Sequence, residues 1–368
     1  IRSLQTNASS SYDRLSPAEK YDLLVGDRNF TLTRSGWNTG QGYYYSDFNG
    51  DGRPDYQVQP WMGLCHGWAP AAYMLPRPTG TVRVRTPYGN SLDFYPADIK
   101  ALATMLWAKT NQPTRFVGGR CNLKINPRNS GQVDQRSGRV KVQNCFDTNP
   151  GTWHIAATNQ VGRLGRSFIL DATFDYEVWN QPVYSYSYSY FNPSTMRTTG
   201  SGMRGLTQGA VNLRQFRNDK FRSWRSSEAR SVVGVVMTVR YVVETKPTAR
   251  STDSARHDGI REVKYIYDLE LTGENGQGQI IGGEWYNHNH PDFIWTPPFQ
   301  GTQGLTRAVS DVESRLARQG IMFRWDGSSI LTQDWQRYAI QSSSSNRKKA
   351  QPLAGIVETL ISRSRGGF

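Results

Sequence analysis

Trp61-Met62-Gly63-Leu64-Cys65-His66-Gly67-Trp68-Ala69-Pro70-Ala71-Ala72 places a single thiol just after a small residue and just before an Ala-rich stretch. That arrangement suits a cysteine at the N-terminus of a helix, where the helix dipole favours the thiolate. Two later segments offer the partners a nucleophilic thiol needs. His154 lies in Asn149-Pro150-Gly151-Thr152-Trp153-His154, and Asp171 in Phe168-Ile169-Leu170-Asp171-Ala172-Thr173. The spacing from 154 to 171 predicts two neighbouring antiparallel strands joined by a turn around 162–165. A thiol is a weak nucleophile until a base takes its proton, and the base must itself be held in one tautomer. The order Cys65, His154, Asp171 therefore predicts a Cys–His–Asp acyl-transfer site. His66 adjoins the thiol, but successive residues of a helix point in different directions, which makes it a poor base. Asp147 and Asp175 rank below Asp171 as the acid, because they flank the predicted strands.

The rest of the chain bounds the class. Its 368 residues suffice for a large core, and 37% hydrophobic content with no long apolar run predicts no membrane span. Abundant aromatics (11 Trp, 19 Tyr, 14 Phe) and many short runs punctuated by Gly, Pro and Asn predict a β-rich α+β fold. Lys and Arg outnumber Asp and Glu by 44 to 30, a net charge of +14. The excess favours anionic surfaces, such as an acidic cell-surface polymer. No helix-turn-helix, zinc-ligand or ribonucleoprotein pattern accompanies it, so no specific nucleic-acid partner is expected. With Cys65 as nucleophile, Cys121 and Cys145 are left as a disulfide across a modest loop, which implies an oxidising compartment. The chain opens with Ile1-Arg2-Ser3, and no signal peptide is expected within it. We read it as the mature or trimmed form of a secreted or periplasmic protein.

Along the chain, 1–15 reads as an extended N-terminal arm, 16–299 as the catalytic domain and 300–368 as a C-terminal helical extension. Helices are predicted over 65–76 and 96–109, the second behind the first. Strands are predicted over 139–143, 152–158, 168–172, 183–191, 232–244, 264–272 and 278–286. In 184–190 Tyr and Ser alternate, the period of a strand with one aromatic face. Further helices are expected over 305–317, 335–340 and 354–362.

A second motif stands apart from the thiol. Asp47-Phe48-Asn49-Gly50-Asp51-Gly52-Arg53-Pro54-Asp55 places oxygen donors at alternate positions, a glycine for the tight turn and a final carboxylate. Asp47, Asn49, Asp51, the Arg53 carbonyl and Asp55 suit a hard cation, and calcium is the expected ligand. No organic cofactor is expected. His288 and His290 lack further zinc-type ligands nearby and read as structural.

Taken together, several segments resemble the transglutaminase elicitor family of oomycetes and some bacteria. They are Ser16 to Asp22, Cys65-His66-Gly67-Trp68-Ala69, Tyr95 to Leu102, Asn149 to His154, Trp179-Asn180-Gln181-Pro182-Val183, Ile281-Gly282-Gly283-Glu284-Trp285, and His290-Pro291-Asp292-Phe293. In the oomycete members the Trp-Asn-Gln-Pro-Val run opens the peptide that plants perceive. Here it continues as Tyr184-Ser185-Tyr186, a departure from that peptide. The resemblance implies a papain/transglutaminase-like core, with the nucleophile helix packed on an antiparallel β-sheet. It implies a thioester between Cys65 and a glutamine side chain of a donor protein, passed on to a lysine amine of an acceptor. The Cys65 N–H would donate to the oxyanion, joined by Gln59 at the Gln-to-Cys spacing of papain-like enzymes, or by the Trp61 indole. Two other readings share these residues: a cysteine peptidase, deamidase or amidase, and a non-catalytic surface-binding protein.

Overall fold

Helix-start signals in Ser16-Pro17-Ala18-Glu19 and Tyr95-Pro96-Ala97-Asp98 organise the first part of the molecule. The computed structural model describes residues 15–34, 38–40, 43–46, 56–58, 63–110, 114–121, 123, 125–172, 177–297, 308–344 and 350–366. The chain divides into two units, one of Ile1–Pro113, Thr245–Asp258 and Pro297–Phe368, the other of Thr114–Glu244 and Gly259–Thr296. In the first, α1 (Pro17–Leu24) starts with a reciprocal cap between Ser16 and Glu19, and α2 (Thr31–Arg34) follows. Short strands β1 (Asn38–Gly40), β2 (Tyr43–Ser46) and β3 (Tyr56–Val58) pair antiparallel. Then come α3 (Cys65–Met74), the hairpin β4 (Val82–Arg85) and β5 (Ser91–Phe94), and α4 (Pro96–Lys109). The Lys20 ammonium, fully buried, donates to the Asp98 carboxylate at 2.6 Å and to the Asp93 carbonyl at 3.0 Å. Asp98 also accepts from the Tyr95 N–H at 2.9 Å, so one carboxylate both caps α4 and neutralises a lysine of α1.

The second unit is built on a nine-stranded antiparallel sheet. Its strands are β6 (Arg115–Gly118), β7 (Ile169–Asp171), β8 (Asn180–Asn192), β9 (Arg197–Gly200), β10 (Val211–Asn212), β11 (Ser231–Val243), β12 (Gly259–Leu271), β13 (Ile280–Gly282) and β14 (Phe293–Thr296). The main path runs β13-β12-β11-β8-β7-β14-β6. Helices α5 (Pro150–Ala156) and α6 (Gly202–Gly209) complete the unit. The Val-rich β11 is buried from Ser231 to Val235 and then at alternate residues through Tyr241, as suits a central strand. Its register sets side chains in rows: Tyr188, Met237 and Tyr265 in one, Tyr190, Val235 and Tyr267 in the next. These rows and Trp153 of α5 form the core.

The alternating tyrosines resolve through a bulge. Ser185 pairs with Arg240 while Val183 pairs with Tyr241, so Tyr184 is the extra residue on β8. An inserted residue reverses which face the following side chains take. Val183 thus shares the core face with Tyr186, Tyr188 and Tyr190, and Tyr184 is turned out, 59% exposed.

Three helices follow in the first unit: α7 (Asp311–Arg318), α8 (Gln333–Ser344) and α9 (Ala354–Ser364). The boundary read at 299/300 does not separate them from what precedes. Leu316, Trp335, Val357 and Leu360 share one core with Tyr21, Leu102 and Leu106. Glu313 closes the cap of α7 with Ser310 and also accepts the Ala354 and Gly355 N–H groups, both at 2.8 Å, at the start of α9. No helix among the described residues is long and apolar enough to cross a membrane.

Candidate functional site

Cys65 is the first residue of α3, half-buried and free of any disulfide. Leu64 caps it, its carbonyl accepting from the Gly67 and Trp68 N–H groups at 2.9 Å. Two residues past the thiol, α3 crosses α4 closely, as expected of the 96–109 helix. A side chain at Gly67 would overlap the Thr104 carbonyl and Ala108. His66 is anchored to α4 through Nε2, 3.3 Å from the Ala108 carbonyl. The thiol helix belongs to the first unit, the long sheet and His154 to the second.

His154 stands on a helix, not on the strand predicted over 152–158. The Asn149 side chain accepts from the Gly151 N–H at 2.9 Å, and Pro150 occupies the first turn. Asn followed by Pro is a helix-start signal that outweighs the β-leaning Trp and Ile of this segment. A π-helical stretch (Ala157–Arg163) continues α5 before the turn into β7. The start of α5 lies close on the sheet edge because Gly283 has no side chain. A Cβ there would overlap the Asp268 carbonyl and press on Pro150.

The His154 ring is buried over the aromatic rows. It meets Tyr188 edge-on at 5.0 Å, and its Nδ1 lies 2.8 Å from the Tyr267 hydroxyl. Burial lowers its pKa to about 4, well below the ordinary imidazole value of about 6.5. An NMR titration of the folded protein should therefore place the His154 midpoint near 4, and a midpoint above about 6 would contradict the burial. Because the folded value is depressed, the group stabilises the fold fully above 6.5. That contribution fades as the pH falls through about 4, and is on the order of 3 kcal/mol.

Asp171 ends β7, fully buried, and accepts from the Trp179 N–H at 3.2 Å. Among the described residues, the hydrogen-bond partner of the His154 ring is Tyr267 and not this carboxylate. Tyr267 went unnoticed in the sequence. The signal was there in Tyr265-Ile266-Tyr267, whose alternation puts both phenols on the face that Val235 and Met237 also line. Of the rival acids, Asp147 lies beside His290, its Oδ2 3.2 Å from Nδ1. Burial pushes Asp147 up to about 7 and His290 down to about 3, favouring the uncharged form of each.

Beyond the α5 cap, the second unit contains a cavity of about 350 Å³ lined by Arg139, Asp147, Glu284, Trp285, His288 and His290 among others. The Trp285 ring stacks on His290 at 5.1 Å and donates its N–H to the Thr148 carbonyl at 2.9 Å. Arg139 pairs with Glu284, whose pKa burial raises to about 8. No strand forms over 139–143. A single bridge joins Val133 and Val140, and a tight turn leads to Cys145. Cys121 and Cys145 are joined as a disulfide, as the cysteine pattern predicts. Behind the cavity, Arg225 is buried among Asp219, Asp268 and Glu270, with Nη2 2.7 Å from Asp268. Asp268 in turn accepts the Glu284 N–H at 3.0 Å. Among the described residues, no group of three or more His, Cys, Asp or Glu could hold a metal ion. The oxyanion candidates Gln59 and Trp61, the calcium-loop residues Asp47, Asn49, Asp51, Arg53 and Asp55, and the rival acid Asp175 lie outside the described residues.

Residues 48–311 match the family model described as transglutaminase elicitor. No curated protein matches the chain. Among solved structures it is similar to the GP42 transglutaminase from Phytophthora sojae, at 24% identity and a TM-score of 0.46, covering 82% of this chain and 81% of that one.

Proposed function

Because the chain belongs to the transglutaminase elicitor family, we propose that it is a protein–glutamine γ-glutamyltransferase, built on a papain-like core. The observation that carries the reading is a thiol at the first residue of a helix, and a buried, uncharged imidazole, both inside the matched segment. The Cys65 sulfur, its proton passed to His154, attacks the carboxamide carbon of a donor glutamine. The tetrahedral adduct collapses as the leaving nitrogen takes that proton, releasing ammonia and leaving a thioester. A lysine ε-amine then attacks the thioester carbonyl and loses its proton to His154, and the thiol departs, giving an isopeptide bond. Asp171 is the acid of the set. Gln59 or the Trp61 indole, with the Cys65 N–H, would take the oxyanion. The Cys121–Cys145 bridge supports a secreted or periplasmic setting, and the charge of +14 favours an anionic cell-surface polymer as a further partner.

The test is incubation with a glutamine-containing protein and a labelled primary amine. Incorporation matched by ammonia release is the expected result. Ammonia without incorporation would make the protein a deamidase, released peptides would make it a peptidase, and none of the three would overturn an enzymatic role.

Calcium belongs to the same reading. The donor set of Asp47, Asn49, Asp51, the Arg53 carbonyl and Asp55 fits a hard cation with oxygen ligands only. A ligand bound only by the folded state stabilises it by mass action, so the melting temperature should rise with added calcium. Asp51→Ala should blunt that rise. A melting temperature indifferent to calcium after stripping with chelator would remove the ion from the proposal.

A further inference from the structure

A histidine that takes a proton from a thiol through one ring nitrogen must hold its own proton on the other, and whatever binds that second nitrogen decides the tautomer. In this protein the second nitrogen meets a phenol. Tyr267, fully buried on β12, lies with its hydroxyl 2.8 Å from His154 Nδ1. The same hydroxyl donates toward the Met237 sulfur at 3.8 Å. A phenol has one proton to give. With that proton turned to sulfur, the oxygen lone pairs face Nδ1 and accept an Nδ1–H. Trp285 packs edge-on against the Tyr267 ring at 5.1 Å, and the His154 ring is flanked edge-on by Tyr188 at 5.0 Å and Tyr267 at 6.0 Å. We infer that Tyr267 is the positioning residue of His154, accepting its Nδ1–H and so leaving Nε2 as the basic nitrogen. The inference rests on the transferase reading above, and gives Tyr267 the orienting role that the sequence assigns to Asp171. Burial holds the phenol well above its usual range, so it orients without supplying a countercharge. The depressed imidazole is the companion of that arrangement.

Long-range proton–nitrogen correlation spectra of the whole folded protein read the tautomer directly. The expected wild-type pattern is a protonated Nδ1 and an unprotonated Nε2 near neutral pH. Tyr267→Phe should release the ring to a mixture of tautomers and lower kcat for amine incorporation by about 10²-fold. The KM for the glutamine donor should change by less than about twofold, since ground-state binding is untouched. Asp171→Asn should leave the tautomer as it is. A wild-type ring protonated on Nε2 overturns the inference. So does a Tyr267→Phe protein that keeps both its tautomer and its kcat, or an Asp171→Asn protein that alone changes the tautomer. If Tyr267→Phe does not fold, the wild-type spectrum still decides. A protein with no transferase activity at all would sink the function reading, while the spectra would still report whether Tyr267 holds His154.

Discussion

Cys65→Ala is expected to abolish amine incorporation and ammonia release together, by at least about 10³-fold, because no other atom in the proposed reaction can form the thioester. The fold should survive. Cys65 is half-buried at the first position of α3, and alanine is a better helix former there. The close contact that seats α3 on α4 belongs to Gly67, which the substitution leaves alone. Unfolding free energy should move by less than about 0.5 kcal/mol, the range of changes that touch no special feature. Residual activity above about 1% of wild type in a folded variant would assign the chemistry to another residue. His154→Ala should match the loss.

The largest expected effect on stability lies elsewhere, at Arg225. Its guanidinium is 4% exposed and meets the carboxylates of Asp219, Asp268 and Glu270. Arg225→Ala strands three buried acids, and removing one partner of such a set costs about 3–5 kcal/mol. At about 2–4 °C per kcal/mol for a unit of this size, the melting temperature should fall by roughly 10 °C. The loss has a pH signature. Burial already raises the Glu270 pKa, and a carboxylate raised in the folded state stabilises most below its unfolded value and progressively less as the pH rises. The variant should accordingly be hurt more at pH 8 than at pH 5. Adding Asp268→Asn should recover part of the loss, since one stranded charge is gone. A change under about 1 kcal/mol for Arg225→Ala would mean that the cluster is dispensable.

Local signals carried much of this fold. The 96–109 helix was legible from its proline start and apolar spacing and has those bounds in the structure, and the β-branched run of β11 marked a central strand. The segment around His154 misled for a reason that can be named. Trp153, Ile155 and the distance to Asp171 read as strand pairing, whereas Asn149 and Pro150 set a helix that then covers the sheet face. Periodicity over a few residues does not separate the two, and the cap does. The identity of the histidine's partner was out of reach for a different reason. Tyr267 is 113 residues from His154, and the two meet because α5 packs on β12. Two of the segments that resemble the family in sequence, around Lys20 and around Asp98, also acquire a physical meaning. Lys20 of one and Asp98 of the other form a single buried pair, so part of the resemblance records a core contact rather than chemistry.

Tyr21, in α1, accepts a hydrogen bond from the Leu353 N–H at 2.9 Å, across 332 residues of chain. The first unit draws its core from both ends of the sequence, and the nine-stranded sheet lies almost wholly between them. A chain emerging from the ribosome can therefore close β6 onto β14 while α1 and α4 still lack α9. Closure over so long a separation is slow, and until it happens the apolar faces of α1 and α4 are uncovered. Synthesis order and assembly order run opposite to each other for this unit. The thiol helix is seated on α4, and α4 gains its contacts with α9 only once residues 354–364 have been made.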